Sequence, residues 1–318
     1  MLGLLDRHQA LVYLTAIAAG ALAGWFVPGL GAHAAPAVAP VLALLLYATF
    51  LGIPLRRLGE GLRDLRFLAC VLVLNFVVVP AVVLCLVRIA GLQGPLLVGA
   101  LLVLLAPCVD YVIVFTGLAG GAAERLLSAA PVLMLGQLVL LPVLLRLHLG
   151  PDESARLDPV AVGEALVVIA VPLLAAGTTQ WATERRPGVR VWEAGVAAAM
   201  VPLMVLTLAT VVASQVAGVG SRVAELLPLL PVYLAFAAIM TLLGRAAGSV
   251  AGLGAREHRA VIFSGVTRNS LVVLPLALTL PGDTGLAPLA VVTQTLVELL
   301  VMVALVAVVP RLVPARRV

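Results

Sequence analysis

Residues 260–280, AVIFSGVTRNSLVVLPLALTL, decide the fold. The run is long enough to cross a hydrocarbon core of about 30 Å as a helix. Its middle, Ser264-Gly265-Val266-Thr267-Arg268-Asn269-Ser270, nevertheless carries a charge among hydroxyl and amide side chains. A helix facing lipid does not tolerate that stretch, whereas an unwound crossing buried in protein does. Residues 95–118, PLLVGALLVLLAPCVDYVIVFTGL, show the same interruption. Pro107 has no N–H and its ring clashes with the preceding turn, so a break is predicted at Ala106-Pro107-Cys108, with Asp110 just beyond it.

The rest of the chain sets these two stretches in a membrane. Hydrophobic residues make up 63% and charged ones 11% of the 318 residues, at a mean hydropathy of +1.20, which excludes a soluble chain. With 4% aromatics there is no stacking platform, and the arginines are scattered beside apolar runs, so nucleic acid is excluded as a partner and the lipid bilayer is expected. Ten continuous apolar runs reach spanning length, at about 9–27, 37–54, 67–87, 95–118, 126–145, 159–182, 194–218, 226–244, 260–280 and 288–309. Their continuity, without alternation, excludes a transmembrane barrel.

All 20 basic residues are arginines, and their places test the count. With ten spans, one side holds Arg7, Arg56, Arg57, Arg63, Arg66, Arg125, Arg185, Arg186, Arg190, Arg245, Arg256, Arg259, Arg311, Arg316 and Arg317. The other side holds only Arg88, Arg146, Arg156 and Arg222, and Arg268 stays inside a run. The asymmetry predicts a multi-pass protein of the cell membrane with both termini cytoplasmic. Ala32-His33-Ala34 resembles a signal-peptide cleavage site, but the preceding charges, Asp6 and Arg7, cancel and the apolar run is long, so cleavage is not expected. Cys70, Cys85 and Cys108 fall within apolar runs, which argues against a disulfide framework.

The runs divide into two halves, 1–150 and 151–318, of five spans each, and an odd number per half inverts the second copy. The ends of the halves correspond: Leu135-Gly136-Gln137-Leu138 in the fifth run aligns with Leu296-Val297-Glu298-Leu299 in the tenth. Asp110-Tyr111-Val112-Ile113-Val114 likewise faces Asn269-Ser270-Leu271-Val272-Val273. Inverted repeats with corresponding interrupted spans are an architecture of secondary transporters, in which freed carbonyls and half-helix ends meet near the midplane around the transported solute.

Leu105-Ala106-Pro107-Cys108, Thr267-Arg268-Asn269-Ser270 and Val297-Glu298 resemble the bile acid:sodium symporter superfamily, in particular its arsenite-efflux carriers. The resemblance extends over essentially the whole chain in span number and order. It implies an all-α membrane fold of ten helices in two inverted five-helix repeats, arranged as core and panel domains, with helices 4 and 9 broken and crossing. It also implies that Cys108 matches the Ala-Pro-Cys cysteine those carriers require and that Glu298 matches their tenth-span glutamate. The chain departs from the pattern at Arg268-Asn269-Ser270-Leu271, where the carriers have Asn-Asn-Phe-Glu, and at Asp110, where a small or hydroxyl residue is expected.

A charge in mid-membrane costs roughly 2.5–3.5 kcal/mol on insertion scales, so each needs a partner or a task. Asp110 and Arg268 are expected to pair at the crossing, either as a gate, as a cationic seat for an anion, or as a static strut. Thiolate suits a soft arsenic centre, which makes Cys108 a candidate ligand; a small buried hydrophobe is the plainer reading of the same residue. Glu298 and Gln294 share one face of the tenth run, where a desolvated carboxyl can carry a proton, or simply hold the helix in place. Cys108, Asp110, Arg268, Asn269 and Glu298 therefore form the expected substrate site, with Gln137, Thr267, Ser270 and Gln294 supporting the coupling ion or the crossing. Glu164 near a helix start is read as snorkelling, and Gly244, Gly248 and Gly252 as helix packing. His8, His33, His148 and His258 are read as loop residues too dispersed for a metal, and no cofactor is expected.

No phosphate-binding loop, metalloprotease motif or nucleophile elbow occurs, so an enzyme is not expected. The functional expectation is a secondary transporter exporting arsenite or a related small oxyanion in exchange for H+. The alternative is Na+- or H+-coupled symport of a small organic anion. A receptor built on a transporter fold is disfavoured because no predicted loop is long enough to fold alone.

Overall fold

A computed structural model describes residues 9–27, 29–52, 64–109, 111–149, 159–183, 185, 187–279 and 286–314. The helices are α1 (Gln9–Phe26), α2 (Leu30–Gly52), α3 (Leu65–Ile89), α4 (Gly94–Leu104), α5 (Tyr111–Leu118), α6 (Ala123–His148), α7 (Pro159–Thr183), α8 (Pro187–Ser221), α9 (Val223–Leu226), α10 (Leu229–Val250), α11 (Ala255–Val266), α12 (Ser270–Thr279) and α13 (Leu286–Leu312). No β-strand occurs among the described residues.

Helix occupies every one of the ten apolar runs, with instructive differences at their edges. The second run begins earlier than expected, because α2 carries Pro36 and Pro40 inside it and absorbs them by bending 41° between Leu30–Val38 and Pro40–Gly52. The fourth and ninth runs are each split in two, α4 with α5 and α11 with α12, around the predicted breaks. Among the described residues, five helical stretches are by themselves long and apolar enough to cross a membrane: Leu65–Ile89, Ala123–His148, Gly188–Val216, Val223–Val250 and Leu286–Leu312. The bent α2 makes a sixth. The four half-helices, of 11, 8, 12 and 10 residues, are each too short to cross alone. Large apolar side chains such as Trp25, Phe26, Leu44, Val77, Val139, Leu174 and Leu300 stand exposed, as a surface bathed in lipid requires.

The helices form two groups. In one, α8 packs along α1 and α2, and α7 packs on α2 and α8; in the other, α13 lies against α4, α10 and α12, and α10 against α11. Chiefly α12 and α13 join the groups, α12 touching α2 and α7 and α13 touching α8. Backbones approach closely where side chains vanish: a Cβ on Gly99 would lie 2.6 Å from the Ala287 carbonyl, which fixes α4 on α13. Gly244 and Gly248 pack on α11 as expected, the latter against the His258 ring, whereas Gly252 stands clear at φ 62° and turns the chain toward α11.

Several polar loops predicted to share one side do meet. Asp64 caps α3 through the Phe67 amide and pairs with Arg125 at the start of α6, while Arg125 lies 3.7 Å from Glu257 and Arg256 lies 3.0 Å from Glu124. Three histidines expected in loops are instead within helices, His33 in α2, His148 closing α6 and His258 in α11. His8 lies outside the described residues, as does the side chain of Glu164. No group of metal-ligating side chains forms among the described residues.

Candidate functional site

The two breaks meet. Pro107 and Arg268 form an isolated antiparallel bridge, with the Asn269 amide donating to the Ala106 carbonyl at 2.8 Å and the Cys108 amide to the Thr267 carbonyl at 3.3 Å. Each unwound segment thus satisfies backbone groups that the other segment's helices release, which is what makes irregular backbone tolerable at this depth. Thr267 also closes α11 by donating its hydroxyl to the Phe263 carbonyl. Asn269 opens α12 as its N-cap, its Oδ1 accepting from the Val272 amide at 3.4 Å.

Arg268 is completely buried. Its guanidinium donates to the carbonyls of Ser264 at 2.7 Å and Gly265 at 2.9 Å in the last turn of α11, to the carbonyl of Leu104 at 3.5 Å at the end of α4, and to Asn75 Oδ1 at 2.8 Å. Those carbonyls are orphans of two helix C-termini, where a cation is favoured. The Phe236 ring centroid lies 5.5 Å from the guanidinium carbon. Asp110, the expected partner, lies outside the described residues, so the described partners of this charge are backbone carbonyls and one amide.

Asn75 was not singled out by sequence. It sits in a π-helical turn, Leu74–Val78, that interrupts α3, and such bulges recur at functional positions. Its Nδ2 donates to the Val71 carbonyl at 3.0 Å and to Ser264 Oγ at 2.9 Å, which leaves Oδ1 facing Arg268. An Asn in an apolar run with Pro80 following was the available signal.

Glu298 locks the crossing from α13. Its carboxylate accepts from the Arg268 amide at 2.8 Å and from Gln294 Nε2 on one oxygen, and from the Tyr111 hydroxyl at 2.5 Å on the other. Tyr111, also unanticipated, lies 2.8 Å from the Arg268 carbonyl as well. A hydroxyl has one proton, so Tyr111 bonds to both acceptors together only when Glu298 itself carries a proton and donates it to the phenol oxygen.

Cys108 is buried at the crossing through its backbone, and no disulfide joins the three cysteines. Gln137 lies apart from Glu298: it lines a cavity between the helix groups with Phe50 of α2, Leu173 of α7, Met134 and Leu141 of α6, and Asn269 and Val272 at the start of α12. Asn269 Nδ2 and Gln137 Oε1 are both buried without a hydrogen-bond partner there. The cavity leaves room for roughly one water molecule. Ser270, whose Oγ is also unpartnered, borders a second apolar cavity among Leu208, Val212, Leu271, Val291 and Thr295. Gln294 bonds to Glu298 and leaves its Oε1 unpartnered. The start of α12 therefore carries two unpartnered buried polar atoms, Asn269 Nδ2 and Ser270 Oγ, with Gln137 Oε1 of α6 on the first of the two cavities.

This is a multi-pass helical membrane protein whose interrupted helices cross at a buried polar network, a layout suited to moving a solute. The sodium bile acid symporter family matches residues 39–226, more than half the chain, and the protein belongs to that family. Its members are membrane transporters, not enzymes. The match takes in the first break, at Pro107, and ends before Arg268 and Glu298. No curated protein matches the chain.

Proposed function

We propose that the chain is a secondary transporter that carries a small organic anion across the cell membrane together with a proton, gripping the anion at the N-terminus of α12. The observation that carries this reading is the apolar-walled cavity on the seam, into which Asn269 Nδ2 and Gln137 Oε1 project unpartnered beside the positive end of a helix. Apolar walls with a few polar atoms suit an anion with a hydrocarbon body. The cavity has room for roughly one water molecule, so admitting an anion requires the group of α1, α2, α7 and α8 to move against the rest, as in alternating access. Glu298 takes the coupling proton, supported by the shared Tyr111 hydroxyl.

The architecture proposed with this function is ten spans in two inverted repeats, 1–150 and 151–318, with both termini cytoplasmic. Paired half-helices support it: 11 and 8 residues, and 12 and 10, add to about 28 and 33 Å of helix, each close to one bilayer core. The arginine asymmetry supports the orientation. Uptake of a panel of radiolabelled carboxylates and sulfonates into proteoliposomes holding the full chain tests the function. Saturable accumulation of at least one, above empty liposomes, is expected; none across the panel refutes it.

Arsenite efflux by proton antiport is a second reading, favoured by Cys108 in its Ala-Pro-Cys context at the crossing and by Glu298. Neither cavity described above is lined by Cys108, which is why the organic anion is preferred. Arsenite tolerance conferred on a sensitive host and lost in Cys108→Ser would reverse that preference.

A further inference from the structure

We propose that the Arg268 guanidinium fills the seat of a coupling cation, so that this chain runs its transport cycle without sodium. The inference deepens the transport reading and rests on it.

The ligands around the guanidinium are those an alkali cation takes. Among the described residues they are three backbone carbonyl oxygens, from Ser264, Gly265 and Leu104, and one side-chain amide oxygen, from Asn75. Hard cations are held by such neutral oxygens, and in transporters with interrupted helices it is unwound carbonyls and half-helix C-termini that hold sodium. Two C-termini converge here, those of α4 and α11. Each carries about half a negative elementary charge, so together they match one monovalent cation. Arg268 supplies that charge from within the chain, on a side chain with no solvent exposure.

The seat is also built from outside. Asn75 reaches it only because the π turn at Leu74–Val78 interrupts α3, and its two donor contacts, to Val71 and Ser264, fix the amide with its oxygen toward the cation. Phe236 of α10 covers a further side of the site. The Glu298 carboxylate bonds to the backbone amide of Arg268 and not to its guanidinium, which leaves the proton-carrying group distinct from the fixed cation. A fixed cation and a mobile proton divide the work that a mobile sodium would do alone.

Removing the side chain should turn the seat into a sodium site. Full-length wild type and Arg268→Ala are purified in parallel in sodium chloride and in choline chloride of equal concentration, and thermal unfolding is followed in each. Wild type is expected to melt at the same temperature in both media. Arg268→Ala is expected to melt lower than wild type in choline and to regain part of the loss, saturably, as sodium is added, as selective binding to the folded state requires. Saturable stabilisation of wild type by sodium overturns the proposal. So does an Arg268→Ala protein that is equally destabilised, or equally lost to aggregation, in both media, since the arginine would then be a strut. This readout needs no substrate, so failure of the cation seat and failure of the anion panel are told apart.

Discussion

Replacing Glu298 separates what the carboxyl holds together from what its charge does. In Glu298→Ala the Arg268 amide and one N–H of Gln294 lose their acceptor in a fully protein-enclosed site, while Tyr111 can still donate to the Arg268 carbonyl. Each buried donor left unpaired costs about 1–3 kcal/mol, so the two together cost about 2–6 kcal/mol before any loss of packing. Glu298→Gln is different. With its amide oxygen toward the Arg268 amide and Gln294, and its NH2 toward the Tyr111 oxygen, every bond of a protonated glutamate is reproduced and one N–H is left over, so it should lose about 1–3 kcal/mol, less than Glu298→Ala. The glutamine cannot release a proton, and transport driven by a proton gradient should be lost in a well-folded protein. Thermal unfolding in one detergent, beside proteoliposome uptake, reads both effects. If Glu298→Gln melts as low as Glu298→Ala, or transports like wild type, the reasoning about Glu298 fails.

Other expectations are quickly checked. Tyr111→Phe removes the hydroxyl shared by Arg268 and Glu298 and should slow proton-driven uptake while thermal stability falls by only about 1–2 kcal/mol. Asn269→Asp keeps a good N-cap for α12 but places a buried carboxylate at the cavity, so anion uptake should fall by about tenfold or more, with a stability loss of about 2 kcal/mol, the burial cost less the gain at the helix N-terminus. Gly99→Val drives a side chain into the Ala287 carbonyl and the Ala290 methyl and should cost about 1–3 kcal/mol. Gly195→Ala, with open space around it, should be neutral or stabilising in the same melt.

The helix pattern was legible because apolar runs must be about 20 residues long to cross lipid, and charges are confined to their ends. The breaks were legible for a related reason: Pro107 and the Ser264–Ser270 stretch violate helix and lipid rules at once. What holds the breaks together was legible only in part, at Glu298 and Gln294. Asp110, the partner expected for Arg268, lies outside the described residues, and the described contacts are the Asn75 amide and carbonyls from two helix ends, which every sequence possesses and none displays. Asn75 and Tyr111 were hidden because their use depends on a π turn and a crossing geometry. Gln137 was singled out by its alignment with Glu298, yet it faces the cavity on the seam and Glu298 the crossing, so aligned places in the proposed repeat need not do equal work.

The most direct measurement is uptake of the best anion from the panel into proteoliposomes with proton and sodium gradients imposed one at a time. The account predicts accumulation driven by an inward proton gradient and indifferent to replacing sodium with choline. Accumulation that requires a sodium gradient and ignores the proton gradient would contradict it.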